Sequence, residues 1–277
     1  LELLKVPYTG CGPRGQMLSQ GKDLSKKIMK YHNIPTPAFV VVPIGRKAKR
    51  PKRLKFPLIV KSVTEDASAG ISQNSVVDSD EKLEERVAFI HERIGTAAIV
   101  EQYIDGREIY VGVLGNDRLT ALPIWELKFT ALAAGALPIA TEHVKHNVEY
   151  QKKRGVIDGL AEDLTPALTN KIRDMVKRCC RVLEIDGYAR IDLRLDAKGT
   201  PYFIEANPNP EIASSEELAQ SALHDGIAYA DLLNRILQLG LQRAGKEIVY
   251  VERPSLRPHR RACRARSADS SAGELLA

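Results

Sequence analysis

Charged and amide side chains occupy alternate positions in two apolar runs, 188–195 and 201–207. Alternation with a period of two predicts β-strands, because successive side chains of a strand point to opposite faces. Each predicted strand therefore has a polar face and an apolar face. The residues predicted to share a face are Arg190, Asp192 and Arg194 on the first strand, and Phe203, Glu205 and Asn207 on the second.

The turn between the two runs decides which side chains face each other. A four-residue loop at 197–200, which contains Gly199, favours an antiparallel hairpin. The pairs predicted by this register are Leu195 with Tyr202, Asp192 with Glu205, and Arg190 with Asn207. Directly paired side chains lie about 5 Å apart at Cβ.

Two carboxylates at that separation repel each other unless a cation lies between them. Asn207 adds a neutral oxygen beside Asp192 and Glu205, and a set of oxygen ligands suits Mg²⁺, which also takes waters and phosphate oxygens. The alternative is a solvated hairpin face whose charges keep the sheet soluble. The apolar run 202–204 before Glu205 indicates burial and favours the metal site.

A metal held by carboxylates implies a phosphate partner, although the sequence contains no Gly-x-x-x-x-Gly-Lys-Ser/Thr motif. Lys61 follows the apolar run 56–60, and a loop of small residues that includes Ser68 and Gly70 could close its amides over phosphates. The segment 101–108 offers strand-edge backbone for an adenine and a carboxylate for ribose hydroxyls. Its alternative interpretation is an ordinary hairpin turning at Asp105-Gly106.

The elements that would position these residues are helices and strands in mixed order. The predicted helices are 22–32, with Leu24, Ile28 and Met29 at helical spacing, 80–94, 168–183, and a stretch from a capping box at Ser214 and Glu217 to about Leu241. The predicted strands are 38–42 and 56–60 as a pair, 97–103 and 107–114 joined at a turn, and 188–195 and 201–207.

Composition limits the class of protein. The chain has 277 residues, of which 44% are hydrophobic and 27% charged, so it can bury a core and is neither fibrous nor wholly disordered. The longest nearly uninterrupted apolar stretch, 129–140, is about half of a bilayer crossing, and no signal segment opens the sequence. We therefore expect a cytoplasmic protein with no membrane partner.

Four cysteines without a CxxC pair argue against a disulfide framework or a zinc site.

The net charge of +6 is concentrated in the C-terminal tail. Residues 253–277 contain six Arg against Asp269 and Glu274, so the tail carries +4 and the rest only +2. The basic signal is therefore a tail and not a groove, and we expect no nucleic-acid partner. RNA binding or tethering through this Arg-rich tail is the alternative, although the tail lacks interleaved aromatic residues.

Eight segments, taken in order, carry a family resemblance. They are PYTG at 7–10, IPTPAFVVV at 34–42, PLIVKS at 57–62, SAGIS at 68–72, IVEQYIDGREIYVGVLG at 99–115, GYARIDLRLD at 187–196, PYFIEANPNP at 201–210 and DGIAYADLL at 225–233. Together they resemble the ATP-grasp superfamily and, within it, the D-alanine–D-alanine ligase family, from about residue 1 to residue 241.

The resemblance implies an α+β ATP-grasp fold in which two α+β subdomains bind ATP between them. Residues 22–103 would form the small subdomain with a phosphate lid, and residues 104–241 the large subdomain with the metal site. Residues 1–21 would be the remnant of a preceding domain, and 242–277 a basic, disordered tail. Since the family has an N-terminal domain that is missing here, the chain is expected to be a fragment or a truncated open reading frame.

The resemblance also implies a role for each candidate residue. For the nucleotide, Lys22 and Lys61 would contact the ATP phosphates and adenine, adenine would be read by Glu101, Gln102, Tyr103 and Ile104, and Glu108 would bind ribose. The lid would be formed by Ser68 and Gly70, and Lys145 would bind phosphate. Arg190 would stabilise the transferred phosphoryl group, and magnesium would be bound by Asp192, Glu205 and Asn207.

The implied reaction is phosphorylation of a carboxylate by ATP, followed by attack of an amine on the acylphosphate, which releases ADP and phosphate. The cofactors would be ATP and two Mg²⁺ ions, with Mn²⁺ as an alternative, and the substrates small amino acids or peptides. A homodimer is the family's common state. The alternative is a catalytically incomplete ATP-binding module without turnover.

Two further segments depart from the family pattern. The chain reads NPNPEIA from Asn207, where the family has a glycine and a serine-bearing loop, and 126–141 lacks the family's aromatic-acidic pattern.

Overall fold

A computed structural model describes residues 1–2, 4, 6–65, 70–132, 135–141, 144 and 147–244. Ser68 and Lys145 lie outside the described residues, as do Ala69 of the predicted lid and the Arg-rich tail. No helix in the described part of the chain is long and apolar enough to cross a membrane.

The smaller of two antiparallel sheets has four strands in the order β1-β4-β2-β3. The strands are β1 (Phe39–Val42), β2 (Leu58–Ser62), β3 (Val76–Val77) and β4 (Ala98–Gln102). Helix α3 (Asp80–Phe89) begins at the cap Ser79 and continues as a π-helical turn, Ile90–Ile94, to Gly95. Its apolar face, Leu83, Val87 and Ile90, packs on the sheet as the spacing predicts.

The larger sheet has five strands in the order β7-β6-β5-β8-β9. They are β5 (Arg107–Leu114), β6 (Thr120–Phe129), β7 (Val156–Leu160), β8 (Tyr188–Leu195) and β9 (Pro201–Asn207). The helices after β6 are α4 (Val148–Arg154), α5 (Pro166–Val182), α6 (Glu217–His224) and α7 (Tyr229–Arg243). Ile172 and Val176 of α5 pack in the core of this sheet, and a second apolar cluster joins α6 and α7 to its other side.

The N-terminal segment packs on the larger sheet. It contains α1 (Pro13–Gln20) and α2 (Lys22–Tyr31), and Cys11 and Met29 are buried in the larger sheet's core. The Gly12 N–H donates to Asp186, 2.7 Å away, and Arg243 donates to the Gly10 carbonyl oxygen. Helix α2 thus belongs to the core of the larger sheet, while the subdomain boundaries stay predictions.

Two expected strand pairings are wrong. Strand β4 pairs with both β1 and β2, so these two strands are not partners of each other. Because both edges of β4 are taken, β5 cannot pair with it. The segment 103–106 therefore connects the two sheets and is not a hairpin turn.

The β8–β9 hairpin confirms the pairs Asp192–Glu205 and Arg190–Asn207 but not the pair at the turn. Leu195 pairs with Pro201, and a bulge after Asp192 restores the expected register. The reason is the turn: Asp196 accepts the N–H groups of Lys198 and Thr200 and closes a loop of five residues, 196–200.

The bulge also changes the faces of β9. Phe203 is fully buried in the core of the larger sheet, whereas Ile204 and Glu205 both line the cleft between the sheets. The expectation that Phe203 and Glu205 share a face is therefore wrong, because the extra residue interrupts the alternation.

The predicted capping box is wrong as well. Helix α6 begins at Glu217 after Glu216, which makes no side-chain cap, and the helical stretch divides at Gly226, where φ is +79°.

Gly106 gives a test of the connection between the sheets. Its φ is +145°, and a Cβ there would collide with the Leu195 carbonyl oxygen. We expect Gly106→Ala to lower the free energy of unfolding by about 2–4 kcal/mol, from strain and overlap together. Gly45→Ala is the control, because Gly45 has φ +76° with open space around it. In urea titrations, Gly45→Ala should lower the free energy of unfolding by only about 1 kcal/mol. Equal losses of stability in the two variants would contradict the contact assigned to Gly106.

Candidate active site

The cleft between the two sheets has about 790 Å³ of space between its atoms, a volume that includes open solvent. It brings together nine of the residues predicted from the sequence. These are Lys22, Lys61, Glu101, Gln102, Tyr103, Ile104, Glu108, Asp192 and Glu205. Arg190 and Asn207 line an adjacent cavity instead, and the Gly70 carbonyl oxygen accepts a hydrogen bond from Arg86.

Lys22 bridges the two sides of the cleft from the first turn of α2. Its Nζ donates to the carbonyl oxygen of Glu65, 2.7 Å away, in the segment that follows β2. The same Nζ lies 3.3 Å from Oε2 of Glu205 on β9. An ammonium group is therefore fixed beside a predicted metal ligand.

Glu101 is a buried carboxylate between two lysines. Its Oε1 lies 3.3 Å from Nζ of Lys26, and its Oε2 lies 3.4 Å from Nζ of Lys61. Burial alone would raise the pKa of Glu101, but the two lysines lower it below its usual value. Burial lowers the pKa of Lys26 to about 8, against the opposing effect of Glu101. Both groups are thus charged at neutral pH.

Sequence reasoning missed Lys26. Helix α2 buries the face made by Lys22, Ser25, Lys26 and Met29, whereas Leu24 is exposed. Of the three apolar residues in the predicted spacing, Met29 is buried and Ile28 is half-buried against the same core, so only Leu24 was misplaced. The signal that could have found Lys26 is its distance of one turn, four residues, from Lys22, because residues four apart lie on the same helix face.

Glu108 lies at the beginning of β5 and accepts three hydrogen bonds. Its Oε1 accepts the hydroxyl of Tyr110 at 2.8 Å, and its Oε2 accepts from Arg194 at 3.1 Å and from the Ala140 N–H at 3.3 Å. The carboxylate predicted to bind ribose is thus held in one orientation. Gln102 and Tyr103 are fixed through their N–H groups, which donate to Ala38 and Pro57.

The predicted metal ligands lie side by side on β8 and β9. Asp192 accepts two hydrogen bonds from Arg190, at 2.8 and 3.0 Å, and one from the Asn207 amide nitrogen at 3.1 Å. Burial alone would lower the pKa of Arg190, but Asp192 and Glu217 raise it well above its usual value. The guanidinium is therefore a permanent cation.

The donor set fits a hard divalent cation. Asp192 and Glu205 supply carboxylate oxygens and Asn207 an amide oxygen, which is the chemistry that Mg²⁺ and Mn²⁺ prefer. Asn207 would have to present its oxygen instead of the nitrogen that now faces Asp192. Among the described residues, no three His, Cys, Asp or Glu side chains are grouped to hold a metal, and the predicted set contains only two carboxylates.

A second cavity, with about 1420 Å³ of space that includes open solvent, adjoins the first at Arg190 and Asn207. Four carboxylates are among its described lining residues: Asp158, Glu211, Glu216 and Glu217. Burial raises the pKa of Glu216, and Glu217 and Glu211 raise it further. Arg190 therefore lies between the lysine-lined cleft and an open acidic cavity.

Two antiparallel sheets around a cleft of lysines and carboxylates define an ATP-grasp protein. Two solved structures of the D-alanine–D-alanine ligase from Bacillus anthracis share the fold. One has a TM-score of 0.73 at 25% sequence identity, and the match covers 88% of this chain and 75% of the Bacillus anthracis chain. The other, complexed with ATP, has a TM-score of 0.71 at 25% identity over 88% and 74% of the two chains.

Sequence relatives agree with the fold. The chain is 33% identical to a D-alanine–D-alanine ligase of Bordetella petrii over 84% of this chain and 67% of the relative. It is 32% identical to the uncharacterised protein y4sG of Sinorhizobium fredii over 88% of this chain and 69% of the relative. The family model of the D-ala D-ala ligase C-terminus matches residues 28–238. The chain belongs to the D-alanine–D-alanine ligase family.

Lys26 provides a test of the buried charges. We expect Lys26→Met to lower the free energy of unfolding by about 2–4 kcal/mol, because Glu101 would keep only Lys61 as a partner in a buried site. Lys27→Met is the matched control: its side chain is 60% exposed and pairs with Asp23 across one helical turn, so its loss should be below about 1 kcal/mol. Denaturant titrations measure both, and a Lys26 variant as stable as the Lys27 variant would contradict the assignment.

Proposed function

We propose that this chain is an ATP-dependent carboxylate–amine ligase of the D-alanine–D-alanine ligase type. ATP would phosphorylate a substrate carboxylate, and an amine would attack the acylphosphate, releasing ADP and phosphate. The observation that carries the proposal is the cleft, which gathers nine predicted nucleotide and metal residues from both sheets. Family membership supports it independently.

ATP would lie with its nucleoside toward the connection between the sheets and its phosphates toward the lysines. Backbone groups at 101–104 and the carboxylate of Glu108 would bind adenine and ribose. Lys22 and Lys61 would contact the phosphates. Ser68 and Gly70 as the lid, and Lys145 as a further phosphate ligand, stay predictions.

Magnesium would be held by Asp192, Glu205 and Asn207, with Mn²⁺ as an alternative. The metal would offset the negative charge of the phosphates when bound. Arg190 is the group of this chain placed to stabilise charge on the transferred phosphoryl group. Its guanidinium keeps its charge throughout the physiological range and is already oriented by Asp192 and Glu217, which lowers the cost of reorganisation.

The acid and amine substrates, small amino acids or peptides, would enter through the second cavity, which shares Arg190 with the metal cluster. The ammonium group of an incoming amino acid would bind carboxylates there. Glu216 has a raised pKa and is a candidate acceptor for the proton that the amine must lose before attack. A homodimer and a cytoplasmic location stay predictions.

One observation favours a second candidate function, an ATP-binding module without turnover. The Asp192 carboxylate already receives Arg190 and Asn207, so the charge cluster is satisfied within the protein. A metal would have to displace these contacts before it could bind Asp192.

Glu205→Gln tests the proposal. We expect Mg²⁺-dependent ADP release, stimulated by pools of D- and L-amino acids and dipeptides, to fall by about 100-fold or more, because the substitution removes a charged metal ligand next to the transferred group. Glu162→Gln is the control, since the Glu162 side chain is 72% exposed and pairs with Lys128. It should leave the rate unchanged.

The same assay separates the candidates. No stimulated release from the unsubstituted chain, with ATP binding intact by calorimetry, would identify a binding module. Absence of ATP binding would exclude both functions.

A further inference from the structure

Arg194 is a buried arginine in the wall of the cleft, with 6% of its surface exposed. It lies on β8 two residues after Asp192 and directly opposite Glu108 of β5. The sequence assigned it only a place on the polar face of the strand. The contacts of its guanidinium indicate a more specific role.

Four hydrogen bonds run from Arg194 to three separate segments around the cleft. Nε donates to the Ile104 carbonyl oxygen at 3.1 Å, and Nη2 donates to the Tyr103 hydroxyl at 3.0 Å. Nη1 donates to Oε2 of Glu108 at 3.1 Å and to the Pro138 carbonyl oxygen at 2.8 Å. One side chain thus connects the segment between the sheets, the start of β5 and the segment 135–141.

We propose that Arg194 is a positioning residue for the nucleoside half of ATP. It fixes the connection at 103–104 and the Glu108 carboxylate in the orientation that adenine and ribose require. This inference rests on the proposed function, because it takes the cleft to be the ATP site. Arg194 acts through these groups, whereas the predicted phosphate contacts belong to Lys22 and Lys61.

The role requires an arginine. The guanidinium presents donors in a planar fork, so one group can serve two carbonyl oxygens, a hydroxyl and a carboxylate at once. A lysine has one nitrogen at the end of a flexible stem and cannot reach all of these acceptors. The backbone pairing of β5 with β8 continues on both sides of Arg194, so the two strands are also joined by their main chains here.

Arg194→Met is the primary test, with affinities measured by calorimetry in the presence of Mg²⁺. We expect ATP to bind about tenfold or more weakly, because several charge-assisted hydrogen bonds that orient its site are lost. Inorganic tripolyphosphate has the phosphates but no nucleoside and should compete with ATP for the cleft. Its affinity for the Arg194→Met variant should lie within about twofold of its affinity for the unsubstituted chain. Arg194→Lys should resemble Arg194→Met and also tests the proposal if the methionine variant fails to fold.

Arg107→Met is the matched control. Arg107 also makes a two-pronged pair, with Glu126 at 2.7 and 2.6 Å, and neither residue lines the cleft. Its loss removes comparable hydrogen bonds from the same sheet but should leave ATP affinity unchanged within about twofold.

Three outcomes would overturn the inference. Equal weakening of ATP and tripolyphosphate would indicate a general structural role, and unchanged ATP affinity in both Arg194 variants would indicate no role. Full affinity in Arg194→Lys would exclude the requirement for the fork. Failure of the unsubstituted chain to bind ATP is a distinct result that overturns the proposed function and this role with it.

Discussion

The ion pairing of Glu101 is the interaction on which the cleft depends. This carboxylate lies on β4, the strand that joins β1 to β2, and it is 1% exposed. Lys26 reaches it from α2, which packs in the core of the larger sheet, and Lys61 reaches it from β2. Removing Lys26 would leave Glu101 with Lys61 alone, and removing Glu101 would leave two buried ammonium groups without this carboxylate. Either loss costs far more than the loss of an exposed pair. The buried charges therefore bind elements of the two sheets to each other at the floor of the cleft.

The rest of the cleft repeats this arrangement of opposite charges. Lys22 lies beside Glu205, Arg190 is paired with Asp192, and Arg194 with Glu108. Each of these cations has a carboxylate partner within the protein, so the cleft carries little excess charge. A polyanion such as a nucleotide must compete with these carboxylates for the lysine and arginine side chains. A divalent cation can reduce this competition by binding the carboxylates once the lysines and arginines contact the nucleotide. Under the proposed function, this pairing of charges would make nucleotide and metal bind cooperatively.

The local part of this architecture could be predicted from the sequence, and the non-local part could not. Period-two alternation identified β8 and β9. The pairing of Asp192 with Glu205 was predicted from a four-residue turn, whereas the structure reaches it through a five-residue turn and a bulge that the sequence pattern did not indicate. Family resemblance supplied the candidate nucleotide residues, which alternation alone would not have distinguished from other strand ends. The supposed hairpin at 105–106 failed because β4 has partners on both edges, a fact that depends on strands far away in sequence.

The missed lysine has the same cause. Lys26 looks like a surface residue next to Lys27, and the partners that make its burial favourable, Glu101 and the carbonyl oxygen of Ile204, lie far away in sequence. Apolar spacing locates the buried face of a helix from its hydrophobic side chains. It therefore does not indicate a lysine that is buried through ion pairs. Sequence patterns of this kind are therefore least informative at the charged interior that a polyanion site requires.

The bulge in β9 links the buried lysine to the predicted metal site. A five-residue turn, carried on without a bulge, would pair Asp192 with Ile204 and move Glu205 toward the apolar core, because a slip of one residue reverses the faces. The extra residue prevents this, and the Lys26 ammonium donates to the carbonyl oxygen of Ile204 at 2.6 Å and lies 3.4 Å from that of Phe203. The same ammonium pairs with Glu101. One buried charge thus supports both the lysine-lined floor of the cleft and the bulge that brings Glu205 opposite Asp192.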